Sequence, residues 1–271
     1  MKPRISITLA ALAFALAAAC AQGGGAKPAA QQEVVVFAAA SLRESLEELA
    51  AGYQRQTGTR VTFNFAGSND LAQQIGAARG MDLFLSASEA WMDTVQHRGR
   101  LVDGTRRDLL ANTLVVVAHA QSTARMDEPC ALADLPFKHV ATGDPQAVPA
   151  GIYARKWLGS VSCDGKPLWD AVQPRIAPTP DVRAAIALVA ADPDVAGLVY
   201  RTDQLAFAGR TKVLYEVKDG PPIRYTVAQV ADGEHADAAR AFLAYVSTAD
   251  AAQVFARHGF IPLASQTAAA P

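Results

Sequence analysis

The sequence predicts an α/β fold built as two lobes, and two observations lead to this prediction. Strand-like apolar runs alternate with amphipathic helical runs, a pattern typical of mixed, mostly parallel sheets with helices on both faces. The alternation occurs as two similar series, one over Glu33–His97 and a second that begins at His139. Ligands of such folds bind beyond the carboxyl ends of the strands, so two series predict two lobes with a ligand cleft between them.

The N-terminal segment, residues 1–20, has the composition of an export signal. Two basic residues precede the apolar run Ile5–Ala19, and alanines stand directly before Cys20. This order resembles the lipobox of bacterial lipoproteins, in which the cysteine is lipidated, although alanine replaces the usual leucine three residues earlier. Ordinary cleavage beside the cysteine is the alternative. Either interpretation predicts a periplasmic location, and residues 21–32 predict a flexible tether.

The first series predicts three strands, each followed by a helix. Runs of β-branched and aromatic residues define the strands, and apolar residues at helical spacing define the helices. Gly58 and Gly80 follow the first two helices and fit C-terminal stop signals. The predicted strands are Glu33–Phe37, Arg60–Phe65 and Asp82–Ala87, and the predicted helices are Leu42–Gln56, Asn69–Ala78 and Glu89–His97.

The second series follows a continuous apolar run at Leu114–Ala118, which predicts a fully buried strand. A proline pair, Pro221 and Pro222, then breaks the chain before a further strand at Arg224–Val230. The predicted strands are His139–Thr142, Val195–Tyr200 and Arg224–Val230, and the predicted helices are Pro149–Leu158, Arg183–Ala190 and Ala236–Thr248.

The composition argues against several classes of partner. The net charge is −1, from 25 basic and 26 acidic residues without a long run of either sign, so we expect no nucleic-acid surface. No internal stretch is apolar enough to span a bilayer, and the 5 histidines show no metal-ligand spacing. We also expect no cofactor. Cys130 and Cys163 are a candidate disulfide in an exported protein, with two free thiols as the alternative.

Two serines stand where a strand ends and a helix begins. Ser41 follows three alanines, and Ser68 follows Ala66 and Gly67. Each lies beside backbone N–H groups that have no acceptor inside their helix. Two such helix N-termini directed at one point attract an anion without any lysine or arginine. The alternative for each serine is a simple N-cap of its own helix.

The second series offers further donors at comparable places. Pro149 stands at the start of a helix, which leaves the N–H of Ala150 exposed beside a small side chain. Asp181 is expected to cap its own helix and to point away from a bound anion, with Val182 next to it. Tyr200 ends a buried strand, and a core tyrosine with a local hydrogen-bond partner is the alternative there.

A serine hydrolase that uses Ser41 or Ser68 is the alternative from a different functional class. The segment Ala66–Asp70 is not the G-x-S-x-G nucleophile elbow. No histidine is placed to activate either serine, so the sequence favours binding over catalysis.

Many segments, taken together and in order, resemble the substrate-binding proteins of molybdate ABC transporters. The resemblance spans about Glu33–Leu263 and implies the type II periplasmic binding protein fold, in which crossing strands join two lobes that close around a tetrahedral oxyanion. The matching segments are VFAAASL (36–42), FAGSNDLAQQI (65–75), MDLFLSASEAWMD (81–93), LLANTLVVVA (109–118), TGDPQAVPAGIYA (142–154), PDVRAAIALV (180–189) and GLVYRTD (197–203). The implied first lobe is 33–112 plus 224–266, the implied second lobe is 113–223, and the implied hinges lie near Asn112–Leu114 and Pro222–Tyr225.

The resemblance also implies which groups bind the oxyanion. All of them are neutral donors, which suit an unprotonated dianion such as molybdate. Phosphate near neutral pH carries a proton that needs an acceptor, and sulfate is smaller, so some donors would not reach it. Gly67 stands where some family members have a further serine. The implied ligand groups are the hydroxyls of Ser41, Ser68 and Tyr200 and the backbone N–H groups of Ala150 and Val182.

The function that the resemblance implies is capture of molybdate, and of the similarly sized tungstate, for delivery to the membrane permease of an ABC transporter. Such a receptor needs no catalytic residue and is expected to be a monomer. It would contact the membrane only through a lipid on Cys20. A sulfate or thiosulfate receptor of the same fold is the alternative within the binding class.

Overall fold

The computed structural model describes residues 32–263, so the predicted signal segment and nearly all of the tether lie outside the described residues. The strands, in chain order, are β1 (Glu33–Ala39), β2 (Arg60–Ala66), β3 (Leu83–Ser86), β4 (Arg107–Asn112), β5 (Leu114–His119), β6 (His139–Gly143), β7 (Ser162–Cys163), β8 (Lys166–Pro167), β9 (Ile176–Thr179), β10 (Val195–Tyr200), β11 (Thr211–Glu216), β12 (Ile223–Gln229) and β13 (Ile261–Pro262). The helices are α1 (Arg43–Thr57), α2 (Ser68–Ala77), α3 (Glu89–His97), α4 (Pro149–Ser160), α5 (Leu168–Val172), α6 (Val182–Ala191), α7 (Arg201–Ala206), α8 (Ala236–Val246) and α9 (Ala249–Arg257). Short 3-10 helices occur at Ala40–Leu42, Pro129–Ala133 and Gln173–Arg175.

The strands form two large mixed sheets. The first sheet has the order β13-β4-β12-β3-β1-β2, and the second has the order β11-β5-β10-β6-β9. Parallel pairs join β1 to β2 and β3, and β6 to β9 and β10. Antiparallel pairs join the remaining neighbours. The mixed α/β class is confirmed, but the parallel share is smaller than the alternation predicts, because β5 and β12 run back beside the parallel strands.

The chain passes between the two sheets at two places. Thr113 alone separates β4 of the first sheet from β5 of the second, and residues 217–222 lead from β11 back to β12. Both connections lie at or beside the segments predicted as hinges. The division into two lobes that move as units stays a prediction.

Helices cover both faces of the first sheet, as the sequence predicts. Successive strand residues point to opposite faces, so Leu85 of β3 joins a core with α1 and α8, whereas Phe84 joins a core with α2 and α3. The fully buried Phe242 of α8 and Met92 of α3 lie in these two cores. Burial of each large apolar side chain stabilises the fold by about 1.5–3 kcal/mol. Within residues 32–263, every helix is too short or too polar to traverse a lipid bilayer.

Cys130 and Cys163 are joined by a disulfide in the structure, with their Cα atoms 5.7 Å apart. The bond ties the 3-10 helix Pro129–Ala133 to the small β7–β8 hairpin. A loop of 33 residues closed in this way is expected to stabilise the fold by roughly 3–4 kcal/mol in the chain-entropy description.

Two features of the sequence prediction are wrong or incomplete. Gly58 ends α1 in the left-handed conformation, with φ 75°, as predicted. Gly80 does not end α2, because the extended backbone of Ala78 (φ −123°) already stops that helix. The pattern also misses β4, β11, α5 and α7. The strand β4 begins with two exposed charged residues, Arg107 and Asp108, and α7 has only 6 residues, too few to show a helical period.

Candidate functional site

One small cavity brings together all five positions predicted from the sequence. It is a cleft of about 220 Å³, part of it open to solvent, between the ends of strands from the first sheet and the ends of strands from the second. This is the carboxyl side of the parallel strands, where the fold class predicts a ligand. The cavity is lined by Ala39, Ala40, Ser41, Ala66, Gly67, Ser68, Ala87, Val148, Pro149, Ala150, Asp181, Val182 and Tyr200.

Ser41 is oriented by a chain of buried hydrogen bonds. Its hydroxyl oxygen lies 2.8 Å from the phenolic oxygen of Tyr225, which accepts a bond from Nδ2 of Asn112 at 3.2 Å. Oδ1 of Asn112 accepts the N–H of Thr113 at 2.8 Å, and this fixes the amide with Nδ2 toward Tyr225. Tyr225, which accepts from Asn112, can donate its phenolic proton to the Ser41 oxygen. The proton of Ser41 is therefore free to donate into the cavity.

Ser68 is oriented in the same sense by a different contact. It is the first residue of α2, and its hydroxyl oxygen accepts the backbone N–H of Ala87 at 3.0 Å. Because the oxygen accepts inside the protein, the hydroxyl proton can donate to a ligand. The N-cap positions are Leu42 for α1 and Gly67 for α2, and neither has a capping side-chain bond. The simple N-cap alternative is thus wrong for both serines.

The other wall of the cavity is formed by the N-termini of α4 and α6. Pro149 is the first residue of α4, and its cap Val148 makes no side-chain bond to the helix, so the N–H of Ala150 has no acceptor within the helix. A Cβ on Gly151 would stand 1.9 Å from the carbonyl oxygen of Gly143. Glycine at this position therefore lets the start of α4 pack directly on the end of β6.

Asp181 caps α6, as the sequence predicts. Its Oδ1 accepts the N–H groups of Arg183 at 2.7 Å and Ala184 at 2.9 Å. The cap uses the second and third N–H groups of the helix and leaves the first, that of Val182, uncapped at a residue that lines the cavity. The carboxylate is occupied by its own helix, and the positive end of the helix dipole remains available to an anion.

Tyr200 carries the clearest indication of a missing acceptor. The residue is 1% exposed, and its hydroxyl has no hydrogen-bond partner within residues 32–263. Burial raises the pKa of Tyr200 well above its ordinary value, so the phenol stays a proton donor. A buried donor without an acceptor costs about 1–3 kcal/mol. The local partner expected of an ordinary core tyrosine is absent, and a bound anion would supply the acceptor.

The cavity wall carries no lysine or arginine in the described part of the chain. Arg183 lies nearby, but its guanidinium contacts the carbonyl oxygen of Ser41 at 3.4 Å and Oδ1 of Asp203 at 2.8 Å. The candidate donors are therefore neutral hydroxyls and helix N-termini, which supply partial positive charge. Asp181 also lines the cavity, and its carboxylate accepts N–H groups of its own helix. Such an arrangement can bind a small anion that accepts hydrogen bonds on all sides.

The arrangement does not support a serine nucleophile. The partner of the Ser41 hydroxyl is a tyrosine whose pKa burial raises far above its ordinary value, and the partner of the Ser68 hydroxyl is a backbone N–H. Neither partner can accept a proton as a general base. Within residues 32–263 no group of three or more His, Cys, Asp or Glu side chains could hold a metal ion.

Comparisons with known proteins agree with this geometry. Residues 34–261 match the family of bacterial extracellular solute-binding proteins. The chain belongs to this family. It is 37% identical over 230 residues to the molybdate-binding protein of Escherichia coli (strain K12), covering 83% of this chain and 87% of that protein. It is 30% identical over 265 residues to a provisionally named ABC transporter substrate-binding lipoprotein of Bacillus subtilis (strain 168), covering 96% and 99%.

Solved structures of similar proteins confirm the periplasmic binding protein fold. The periplasmic molybdate-binding protein of Azotobacter vinelandii superposes with a TM-score of 0.73 at 21% identity, over 84% of this chain and 98% of that chain. The sulfate-binding protein of Mycobacterium tuberculosis H37Rv superposes with a TM-score of 0.74 at 17% identity, over 86% and 88%. The two scores are nearly equal, so the backbone of this family does not by itself distinguish one oxyanion from another.

Sequence reasoning named the five positions that the cavity brings together but missed the residues that orient their side chains. Asn112 and Tyr225 lie at the predicted hinges, yet nothing local marks them as supports of Ser41. Arg183 and Asp203 also went unassigned. The one available signal was the position of Arg183, directly after the predicted ligand residue Val182.

Proposed function

We propose that this protein is an extracytoplasmic receptor that binds molybdate in the cavity described above and delivers it to the membrane permease of an ABC transporter. The observation that carries the proposal is a buried cluster of donors without a matching acceptor, with the Tyr200 hydroxyl as its clearest member. The name of the Escherichia coli relative, a molybdate-binding protein at 37% identity, supports the same ligand.

The donor set favours an anion that carries no proton. A dianion removed from water is destabilised by many kcal/mol unless its oxygens are fully hydrogen-bonded. Each bond from a neutral donor to a charged acceptor recovers about 1.5–3 kcal/mol, and each helix N-terminus adds a smaller favourable contribution. Monohydrogen phosphate would bring a donor into a site whose polar groups also donate. Molybdate brings only acceptors.

Size is the basis on which we expect sulfate to be rejected. Shorter bonds around sulfur leave its oxygens too far from donors that are fixed on two opposite walls, and each buried bond that is not made is costly. Tungstate has the charge and nearly the size of molybdate, so we propose that both are bound. A sulfate or thiosulfate receptor remains the competing assignment, because the fold is shared with a sulfate-binding protein.

We also propose that the protein is exported and anchored through a lipid on Cys20. The support is the order of basic, apolar and small residues before this cysteine, together with the similarity to a Bacillus subtilis protein named as a lipoprotein over 96% of this chain. Mass spectrometry of the mature protein tests the anchor. A diacylated or triacylated N-terminal cysteine supports it, and an unmodified N-terminus beside the cysteine contradicts it.

Calorimetric titration of the purified protein with molybdate, tungstate, sulfate and phosphate tests the ligand assignment. We expect tight, 1:1 binding of molybdate and tungstate, and binding of sulfate and phosphate at least 100-fold weaker. Sulfate binding tighter than molybdate binding would reverse the assignment. A parallel thermal unfolding series checks it independently, since a ligand at 1,000 times its Kd stabilises by about 4 kcal/mol.

A further inference from the structure

Arg183 connects the two walls of the cavity without lining it. It is the second residue of α6, which follows a strand of the second sheet, and its side chain is 14% exposed. Nη2 pairs with the carboxylate of Glu44 and lies 3.4 Å from the carbonyl oxygen of Ser41, both in the segment that follows β1 of the first sheet. Arg183 thus joins a helix that follows a strand of the second sheet to a segment that follows a strand of the first.

The guanidinium is held in place from behind by Asp203. This aspartate lies on α7, after β10 of the second sheet, and its side chain is 0% exposed. Its Oδ1 lies 2.8 Å from Nε of Arg183. The two groups form an ion pair that is not aligned as a hydrogen bond, since neither Nε of Arg183 nor Oδ1 of Asp203 has a hydrogen-bond partner within residues 32–263. The negative charge of Asp203 attracts the guanidinium on this side, while Nη2 faces Ser41 and Glu44.

The contact fixes the separation of two candidate ligand groups. Ser41 donates its hydroxyl from the first wall, and its carbonyl oxygen contacts Arg183. Val182 donates its N–H from the second wall and precedes Arg183 directly in the chain. Arg183 contacts one of these two residues and is the chain neighbour of the other, so its position sets the distance between the two donors. A change in this contact alters how well both donors reach the same anion.

Arg183 also offsets negative charge beside an anion site. Glu44 and Asp203 contact it directly, and Asp181 accepts its backbone N–H. Three carboxylates close to a cavity for a dianion would disfavour binding by like-charge repulsion. The guanidinium compensates part of this charge, including that of Asp181 in the cavity wall, without itself lining the cavity.

We propose that Arg183 is a positioning residue for the candidate oxyanion site: it clamps the segment of Ser41 and Glu44 to the N-terminus of α6 and so holds the ligand-bound, closed arrangement. The proposal rests on the proposed function, because it concerns the release of the same ligand. Uncharged contacts also cross the cleft elsewhere. Nε1 of Trp91 donates to the carbonyl oxygen of Ala147 at 2.9 Å, and Gly67 stands against the backbone of Pro180. Arg183 supplies the ionic contact.

The test compares Arg183→Met, Arg183→Lys, Glu44→Gln and the double variant Glu44→Gln/Arg183→Met at pH 8. Calorimetry with molybdate gives Kd, and stopped-flow tryptophan fluorescence gives the dissociation rate, with Trp91 as a reporter at the cleft. We expect Arg183→Met to weaken binding at least 10-fold, chiefly through faster dissociation. Arg183→Lys should recover only part of the affinity that Arg183→Met loses. The losses of affinity in Glu44→Gln and Arg183→Met should not add in the double variant, because both substitutions remove the same contact.

Glu47→Gln is the matched control, because Glu47 lies on the same helix and pairs only with Arg43 on the helix surface. Its Kd and dissociation rate should equal those of the wild type. A purely structural role of Arg183 would lower the melting temperature of the ligand-free protein and leave the dissociation rate unchanged, and that result overturns the clamp. Glu44→Gln keeps the buried pair intact, so it tests the clamp even if Arg183→Met does not fold. A wild-type protein that binds no molybdate would overturn the proposed function and the clamp with it. Normal binding by the wild type together with unchanged dissociation in the variants would overturn the clamp alone.

Discussion

The hydroxyl oxygen of Ser41 lies 2.8 Å from the phenolic oxygen of Tyr225, a residue 184 positions later in the chain. The contact joins the end of β1 to β12, the strand by which the chain returns to the first sheet. Burial raises the pKa of Tyr225 far above its ordinary value, so the phenol remains a donor at any physiological pH. Ser41 can accept this proton and offer its own to a ligand. Its role as a donor therefore depends on the hydrogen bonds of Tyr225.

Removal of the Tyr225 hydroxyl should therefore weaken binding although Tyr225 does not line the cavity. In Tyr225→Phe the Ser41 hydroxyl loses the partner that orients it, and Asn112 loses an acceptor. The loss of one buried neutral hydrogen bond, about 0.5–1.5 kcal/mol, predicts a Kd for molybdate roughly 2- to 13-fold higher by calorimetry. Tyr215→Phe is the control, since Tyr215 packs on Trp157 away from the cavity. Equal affinity in both variants would show that Ser41 needs no such support.

Ser68 should contribute to binding directly. In Ser68→Ala the ligand loses one charge-assisted donor, and the N–H of Ala87 loses its acceptor. A bond to a charged acceptor contributes about 1.5–3 kcal/mol, so we expect affinity for molybdate to fall at least 10-fold. Ser45→Ala is the control, because Ser45 is also buried but donates to the carbonyl oxygen of Leu42 within its own helix. Unchanged affinity in the Ser68 variant would place the pocket elsewhere.

Loss of the Tyr200 hydroxyl should not destabilise the ligand-free protein, but it should weaken the binding of molybdate. Without ligand its buried hydroxyl has no partner in the described residues, so Tyr200→Phe should leave the ligand-free protein equally stable or more stable. With ligand the variant lacks a donor, and the affinity for molybdate should fall about 10- to 150-fold, from the loss of about 1.5–3 kcal/mol. Thermal unfolding with and without molybdate measures both effects. A variant that is clearly destabilised without ligand, yet shows unchanged affinity, would mean that the hydroxyl serves the fold alone.

Ser41, Ser68 and Ala150 could be predicted as candidate donors because a small residue or a serine marks each place where a helix begins, whereas Val182 and Tyr200 were predicted from the family resemblance. The residues that orient these donors could not be predicted from the sequence. Asn112 and Tyr225 are 113 positions apart, and Arg183 is 139 positions from Glu44, so only the packed sheets bring these pairs together. The same limit explains the missed strand β4, whose place in the sheet comes from its neighbours β12 and β13. Local patterns predict elements and their ends, whereas pairing over long distances requires the fold.

Gly67 illustrates how the structure changes the meaning of a sequence difference. The sequence alone suggests a lost hydroxyl where some family members have serine. In the structure a Cβ at Gly67 would stand 2.8 Å from the carbonyl oxygen of Pro180, on the opposite wall of the cavity, and 2.5 Å from Oδ1 of Asn69. The side chain of Asn69 can move, but the backbone of Pro180 moves only if the walls separate.

Gly67→Ser should therefore weaken binding instead of adding a useful donor. We expect at least a 10-fold rise in the Kd for molybdate, with little change in the melting temperature of the ligand-free protein, because the conflict arises only when the walls meet. Gly159→Ser is the control, since a Cβ there meets nothing within 4 Å. Tighter binding by the Gly67 variant would instead support the interpretation of a missing serine.

Asp203 should make the stability of the ligand-free protein depend on pH. Burial raises the pKa of its carboxyl to about 7, against the opposing effect of Arg183, while Glu44 and Asp181 raise it slightly further. The unfolded chain ionises this carboxyl near its ordinary pKa of 3.8, so the folded state binds the extra proton between about pH 4 and 7. Its contribution to stability is therefore complete below pH 4, falls as the pH rises to 7 and is constant above.

The shift from 3.8 to about 7 corresponds to a loss on the order of 4 kcal/mol across that interval. Urea unfolding of the wild type and of Asp203→Asn at several pH values measures it, and the slopes of other carboxylates cancel in the difference between the two proteins. The contribution of Asp203 lowers the free energy of unfolding of the wild type between pH 4 and 7, and Asp203→Asn should lack this contribution. Parallel pH profiles of the two proteins would mean that Asp203 is already ionised throughout this range, held so by the guanidinium of Arg183.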